Sequence, residues 1–180
     1  CHRDAASMRG AAARHPRVER GQLLNLEGRI NQCRTERQGR PAFAYESDAL
    51  LALTAFVARQ SLGMPFAVRI DGEAQPFFEA GRARYATRVG QMNLACAHCH
   101  DANWGRRLLA EPISQGHPNA YPAYRLEWQT IGSLHRRLRA CHYGVRAEML
   151  PAGSPAYLEL ELYLAWRAGG LAVETPGVRR

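Results

Sequence analysis

Two segments of the chain share one pattern of hydrophobic and polar positions. Residues 47–58 and 154–165 align without a gap. Each segment opens with a serine, Ser47 or Ser154, of the kind that caps a helix N-terminus, and continues as an apolar run of about three turns. The pattern therefore predicts two equivalent helices in an internal repeat with a period near 100 residues.

The repeat extends upstream of these helices. In each half a cysteine stands thirteen or fourteen residues before the serine and follows an arginine by four positions, giving the pairs Arg29/Cys33 and Arg137/Cys141. The stretch 63–72 between the halves has the proline and glycine content of a linker. We expect a mainly α-helical fold of two tandem units, residues 1–70 and 71–180.

One short motif carries recognisable chemistry. Cys96, Cys99 and His100 have the C-x-x-C-H spacing of covalent haem attachment. Residues three apart share a helical face, so both thiols can reach the vinyl groups of one porphyrin, and the adjacent His100 can bind the iron. A redox cysteine pair would not need the histidine, and a zinc site would need a second ligand pair. We predict haem c here, and hence two cytochrome c-like units.

The residues before the motif agree with this interpretation. Residues 76–85 read as a helix with Phe78, Gly81 and Tyr85 near one face. Cytochromes c place such a helix just before the haem motif, with a glycine where it crosses the last helix.

The second axial ligand of this haem has two candidates. Met149 lies in the range where electron-transfer cytochromes c supply a methionine. Cys141 has a counterpart in the first half of the repeat, whereas Met149 has none, so we predict His100 and Cys141 as the ligands. We expect His98 to be a solvent-facing residue inside the motif and His117 to be a surface loop histidine.

The start of the chain suggests a second haem site. Cys1 and His2 fall where Cys99 and His100 would fall in the first copy of the repeat. We expect them to finish a truncated C-x-x-C-H motif, in which Cys1 attaches the haem and His2 and Cys33 ligate it.

The charge of the chain is strongly positive. The net charge is +8, and all 24 basic residues are arginine. No arginine run alternates with aromatic residues, so we expect no nucleic-acid binding. Two explanations of this charge remain open. The first is a general bias toward arginine in the composition. The second is an electropositive surface for a small anion or an acidic partner, which the arginine clusters at 106–107 and 136–137 would support.

The location of the protein follows from two features. The chain has no apolar run long enough to span a membrane. Haem is attached covalently outside the cytoplasm, which implies a periplasmic protein.

Longer stretches resemble a known family. Residues 25–33, 124–133, 160–167 and 174–180 are similar to the SoxA subunit of SoxAX cytochromes, the L-cysteine S-thiosulfotransferases of sulfur-oxidising bacteria. The resemblance implies that thiosulfate is joined oxidatively to a cysteine of the carrier protein SoxYZ, with two electrons leaving through haem. It also implies SoxX, a small cytochrome, as the partner subunit.

The resemblance assigns roles to two residues. The family's catalytic cysteine, an axial haem ligand that occurs as a persulfide, matches Cys141, and its substrate-binding arginine matches Arg137. An arginine at this position could instead pair with a haem propionate. A plain dihaem electron-transfer cytochrome, without bond-making at the haem, is the alternative function.

Two interpretations of the N-terminal site are consistent with the family. Dihaem members have a complete first motif, whereas monohaem members lack it and can use a disulfide to the equivalent of Cys33. Cys1 therefore either completes a haem site or pairs with Cys33.

Overall fold

The computed structural model describes residues 2–180. Within this part, six α-helices, α1 to α6, span Leu26–Gln38, Asp48–Arg59, Gln75–Ala86, Cys96–His100, Leu134–Gly144 and Pro155–Arg167. Seven short strands, β1 to β7, span Arg17–Glu19, Gln22–Leu24, Arg107–Leu108, Glu111–Pro112, Ala123–Arg125, Thr130–Gly132 and Gly177–Arg179. Three single-turn 3-10 helices lie at Ala5–Met8, Ala12–Arg14 and Gly72–Ala74.

The sequence repeat recurs in the order of these elements. In each half an antiparallel hairpin, β1–β2 or β5–β6, leads into a helix that carries a cysteine, α1 or α5. Both helices start at a polar N-cap: the Asn25 side chain accepts from the Gly28 backbone N–H at 2.9 Å, and the Ser133 side chain accepts from Arg136 at 3.1 Å. Each cap satisfies a backbone donor that the helix leaves free.

The two helices predicted from the repeat are confirmed as α2 and α6. Ser47 is the N-cap of α2, and its hydroxyl accepts from the Leu50 N–H at 3.4 Å. Ser154 has the extended backbone of an N-cap residue, but its hydroxyl makes no capping bond. Pro155 follows it at the first helical position, where a missing N–H costs nothing.

The predicted crossing of α3 with the last helix is also confirmed. Phe78, Gly81 and Tyr85 are the buried residues of α3. A Cβ on Gly81 would lie 2.1 Å from the backbone oxygen of Glu159 in α6, so only glycine permits this approach. The crossing holds α3 and α6 together immediately before the haem motif.

The central strand β5 is fixed on both sides. It pairs antiparallel with β6 and parallel with the C-terminal strand β7. The hairpin β5–β6 then continues directly into α5 through the Ser133 cap. The segment from β5 to α5 is therefore one continuous, hydrogen-bonded support.

The helical expectation is met in part. Helices form 42% of the chain, and the short strands were not predicted. The division into tandem units at residue 70 stays a prediction. Among residues 2–180, none of the helices combines the length and the hydrophobicity that a membrane crossing requires.

Candidate haem and anion site

The haem motif forms the single-turn helix α4. Cys96 and Cys99 lie one turn apart in it, and His100 is its last residue. Burial, together with the smaller effect of the nearby Cys141, raises the pKa of the Cys96 thiol to about 11. Cys96 and Cys141 thus lie within electrostatic range of each other, although 45 positions separate them in the sequence. No disulfide joins the cysteines of the described part of the chain.

His100 is prepared to bind a metal through one nitrogen. Its Nδ1–H donates to the Ser114 carbonyl at 2.7 Å, so Nε2 carries the lone pair. A Cβ on Gly116 would lie 3.1 Å from the ring, so the loop backbone packs closely against the imidazole. Burial lowers the pKa of His100, which favours the neutral form that ligates iron. This arrangement fits the proximal residue of a covalently attached haem.

Arg167, at the end of α6, secures the loop that holds His100. It donates to the Gln115 carbonyl at 2.9 Å and to the Asp101 carboxylate. Its guanidinium also lies over the Tyr85 ring, 4.6 Å from the ring centre. The last helix therefore fixes the loop that contributes the Ser114 carbonyl.

One histidine expectation is corrected. His98 was expected to face solvent, but it is half-buried, and its Nδ1 accepts from the Ala95 N–H at 2.8 Å, which caps α4. His117 lies in a loop, as expected, where it is partly exposed and within electrostatic range of Arg167 and His100.

Cys141 projects from the last turn of α5. Burial raises the pKa of its thiol, whereas the guanidinium groups of Arg137 and Arg125 act in the opposite direction. Cys99 is also within electrostatic range of this thiol. The fold thus brings the predicted distal cysteine, its arginine and the haem motif into one region.

A carboxylate lies between the two arginines. Glu127 Oε1 is 2.8 Å from Arg125 Nε and 3.5 Å from Arg137 Nη1. Arg125 also donates to the Tyr121 hydroxyl at 3.3 Å. Two cations and one anion therefore lie within electrostatic range of the Cys141 thiol.

An aromatic residue holds the flanking arginines in place. The Arg136 and Arg125 guanidinium carbons lie 4.5 Å and 5.3 Å from the centre of the Trp128 ring. The indole rests on Gly132, where a Cβ would be 2.5 Å from the ring. Arg136 is thus engaged in cation–π stacking.

Met149, the alternative ligand of the haem at His100, lies in the loop after α5, and its side chain is 44% exposed.

The predicted N-terminal site is described only in part. His2 is exposed, and its Nδ1 lies 3.5 Å from the Ser7 hydroxyl. Cys33 is half-buried in α1. Cys1 lies outside the described residues, so the haem site and the Cys1–Cys33 disulfide both stay predictions. Among residues 2–180, no group of three or more His, Cys, Asp or Glu is placed to hold a metal ion by itself.

Arg125, Glu127 and Arg167 were not predicted as site residues from the sequence. The first two lie within residues 124–133, a segment noted only for its family likeness. The internal repeat could have identified these two residues, because the Arg-x-Glu pattern of the second half also occurs in the first half at Arg17 and Glu19.

Comparisons with known proteins agree on one family. A family model for the SoxA/TsdA cytochrome c domain matches residues 1–66. The chain is 41% identical to the L-cysteine S-thiosulfotransferase subunit SoxA of Pseudaminobacter salicylatoxidans, covering 100% of this chain and 64% of the relative. It is 40% identical to the subunit of the same name in Paracoccus pantotrophus, covering 99% of this chain and 62% of the relative. The chain thus spans less than two thirds of these curated relatives.

A solved structure gives the same result. The crystal structure of SoxXA from P. pantotrophus matches the fold with a TM-score of 0.96 at 40% identity, covering 100% of this chain and 69% of that chain. The resemblance inferred from the sequence is confirmed, and the chain belongs to the SoxA family.

Proposed function

We propose that this chain is the catalytic part of an L-cysteine S-thiosulfotransferase, which conjugates thiosulfate to a cysteine of a SoxYZ-type carrier protein. The observation that carries the proposal is the position of Cys141. The thiol lies within electrostatic range of Cys96 and Cys99 of the haem motif and of the guanidinium groups of Arg137 and Arg125. A cytochrome that only carries electrons has no need for a thiol and an anion-binding arginine at this place.

The net reaction defines what the site must do. The outer sulfur of the thiosulfate dianion forms an S–S bond with the carrier cysteine, whose thiol loses its proton. Two electrons leave the sulfur atoms in this step. Haem c, when bound by Cys96, Cys99 and His100, would take up these electrons one at a time and pass them on to the partner cytochrome.

The chain's own residues account for binding and orientation. Arg137 can bind sulfonate oxygens through its planar fork of N–H donors, which fits an oxyanion better than a point charge does. Its position one helical turn before Cys141 would place the anion beside the sulfur. The opposing arginine charges favour the thiolate of Cys141, the nucleophilic form, against the effect of burial.

Further features complete the proposal. Cys141 would hold the haem iron together with His100, and the family resemblance implies that the Cys141 sulfur occurs as a persulfide. The first repeat unit would hold a second haem c with Cys1, His2 and Cys33. The name of the solved relative, SoxXA, supports a heterodimer with a SoxX-type cytochrome, and covalent haem supports a periplasmic location.

The test uses the haem-loaded protein with thiosulfate and reduced SoxYZ. We expect the wild-type protein to form the carrier conjugate, and the peptide containing Cys141 to carry the mass of one extra sulfur atom. Cys141→Ala should abolish conjugation and change the visible spectrum of the haem. Met149→Ala, the matched control at the alternative ligand, should leave both unchanged.

Two results would contradict the proposal. Conjugation by Cys141→Ala at the wild-type rate would show that this thiol is not required. A spectrum that responds to Met149→Ala and not to Cys141→Ala would identify a plain electron-transfer cytochrome.

A further inference from the structure

Both repeat halves carry the same four residues in the segment from hairpin to helix. Arginine, glutamate, arginine and cysteine follow one another at identical spacing. The first set is Arg17, Glu19, Arg29 and Cys33, and the second is Arg125, Glu127, Arg137 and Cys141.

In the first half the glutamate is fully engaged. Glu19 Oε1 lies 2.7 Å from Arg17 Nε, and Oε2 lies 3.1 Å from Arg29 Nη1. Each carboxylate oxygen thus has its own cation, and the side chain is only 14% exposed. This half forms a closed structural ion triad.

In the second half the same triad is loose. Glu127 uses a single oxygen for both arginines, at 2.8 Å to Arg125 and 3.5 Å to Arg137. Its side chain is 47% exposed, whereas that of Arg125 is only 10% exposed. The carboxylate is therefore held weakly, while one of its two cations is fixed.

The difference follows from the hairpins. Glu19 is the last residue of β1 and pairs with Gln22, so the ladder fixes its backbone. The strand β5 ends at Arg125, which pairs with Thr130, so Glu127 falls in the turn between β5 and β6. A turn residue can move its side chain into water without breaking a strand ladder.

We propose that Arg125 and Arg137 form a two-arginine anion site, which Glu127 occupies as an internal anion until thiosulfate displaces it. The proposal rests on the proposed function and names a second substrate-binding residue and the group that competes with the substrate. Two guanidinium groups balance the dianion, whereas a single carboxylate leaves one positive charge uncompensated. Arg125 is held for this role by the Tyr121 hydroxyl and the Trp128 ring.

The direct test is calorimetric titration of the haem-loaded protein with thiosulfate, without carrier protein. Glu127→Gln removes the competing charge at constant size, so the Kd for thiosulfate should fall at least about threefold. Arg125→Ala should raise the Kd at least about tenfold, and Arg125→Lys should recover only part of the loss. Sulfate, which shares the oxyanion face, should compete with thiosulfate for the site.

The first half provides a matched control. Glu19→Gln makes the same chemical change in the closed triad and should leave the Kd for thiosulfate within about twofold of the wild-type value. A wild-type haem spectrum should accompany each glutamate and Arg125 variant to show that it folds. The inference is overturned if Glu127→Gln leaves the Kd unchanged or raises it, or if wild-type protein does not bind thiosulfate.

The titration separates this inference from the proposed function. Cys141→Ala should keep the Kd while it abolishes conjugation, because the arginines bind and the thiol reacts. If the wild-type protein conjugates thiosulfate but Glu127→Gln does not tighten its binding, only the inference about Glu127 and Arg125 fails.

Discussion

At the scale of single residues, the chemistry of the site depends on the arginines around Cys141. Burial alone would keep this thiol protonated, because a buried thiolate loses its hydration. Arg137 and Arg125 oppose that effect through their positive charge. The same guanidinium groups carry the N–H donors that an oxyanion needs, so in the proposed function one set of residues would both activate the sulfur and bind the substrate.

Arg137 is the residue at which this account is most easily tested. We expect Arg137→Ala to lower thiosulfate turnover at least about tenfold, which corresponds to roughly 1.4 kcal/mol of lost transition-state stabilisation. Arg137→Lys should recover only part of this, because it keeps the charge and loses the planar fork. Steady-state kinetics with SoxYZ would measure both effects.

The control for Arg137 is Arg82→Ala on the exposed face of α3, which removes an arginine far from the thiol in sequence. It should leave turnover unchanged. If the Arg137 variants instead shifted the haem potential and left the kinetics intact, Arg137 would be a propionate partner.

At the scale of elements, the crossing of α3 and α6 supports the haem motif. The two helices meet at Gly81, and α4 follows α3 after a short connection. Arg167 at the end of α6 reaches the loop beside His100. Any change that separates α3 from α6 should therefore disturb the haem pocket as well as the core.

Substitution of Gly81 should show this dependence. Gly81→Ala puts a carbon 2.1 Å from the Glu159 backbone oxygen, so the helices must move apart. We expect the free energy of unfolding to fall by roughly 1–3 kcal/mol, the usual cost of overpacking. Thermal unfolding of the haem-loaded protein, followed by circular dichroism, would measure the change.

Ala83→Ser is the matched control on the exposed face of the same helix, since it also adds one heavy atom. Its effect should stay within about 0.5 kcal/mol. Equal stability of the Gly81 and Ala83 variants would mean that the helices do not pack as tightly as the structure indicates.

At the scale of the whole molecule, a buried acid–histidine cluster joins the two repeat halves. Glu27 of α1 is buried near Glu161 of α6 and His135 of α5, and His135 Nε2 lies 2.9 Å from Glu161. Burial, with the charges of Glu161 and Glu46, raises the pKa of Glu27 to about 7. Although burial lowers the pKa of His135, its pairing with Glu161 outweighs burial and raises it.

These shifts predict a stability that falls as pH rises. Between about pH 4.5 and 7 the folded protein keeps a proton on Glu27 that the unfolded chain has released, so folding becomes less favourable across this range. The raised pKa of His135 acts in the same direction above its ordinary value of 6.5. Glu27→Gln should therefore stabilise the protein at pH 8 by on the order of 2 kcal/mol and have little effect below pH 5.

Denaturant unfolding of the haem-loaded protein from pH 5 to pH 8 would measure this difference. Glu111→Gln on the exposed strand β4 is the control and should parallel the wild-type curve. If the free energy of unfolding of Glu27→Gln has the same pH dependence as that of the wild type, a group other than Glu27 takes up the proton.

The sequence by itself determined the local features of this protein. The helices α2 and α6 follow from apolar periodicity and an N-terminal serine, and α3 follows from apolar periodicity alone; these signals act over a few positions. The C-x-x-C-H motif and the Arg-x-x-x-Cys spacing are likewise short-range patterns. The repeat could be read because both halves preserve the same spacing, and it selected Cys141 over Met149 as the candidate ligand.

Only the tertiary structure decided how these parts meet. The Ser114 carbonyl at His100, the contact of Arg167 with the same loop, and the cap formed by His98 depend on where loops return in space. Glu127 is exposed and Glu19 is mostly buried, although their spacing to the neighbouring arginines is identical. This difference could not be predicted from the spacing, because exposure depends on whether the residue lies in a strand or in a turn. Contacts between residues far apart in sequence are set by packing of the whole chain, and no local pattern encodes them.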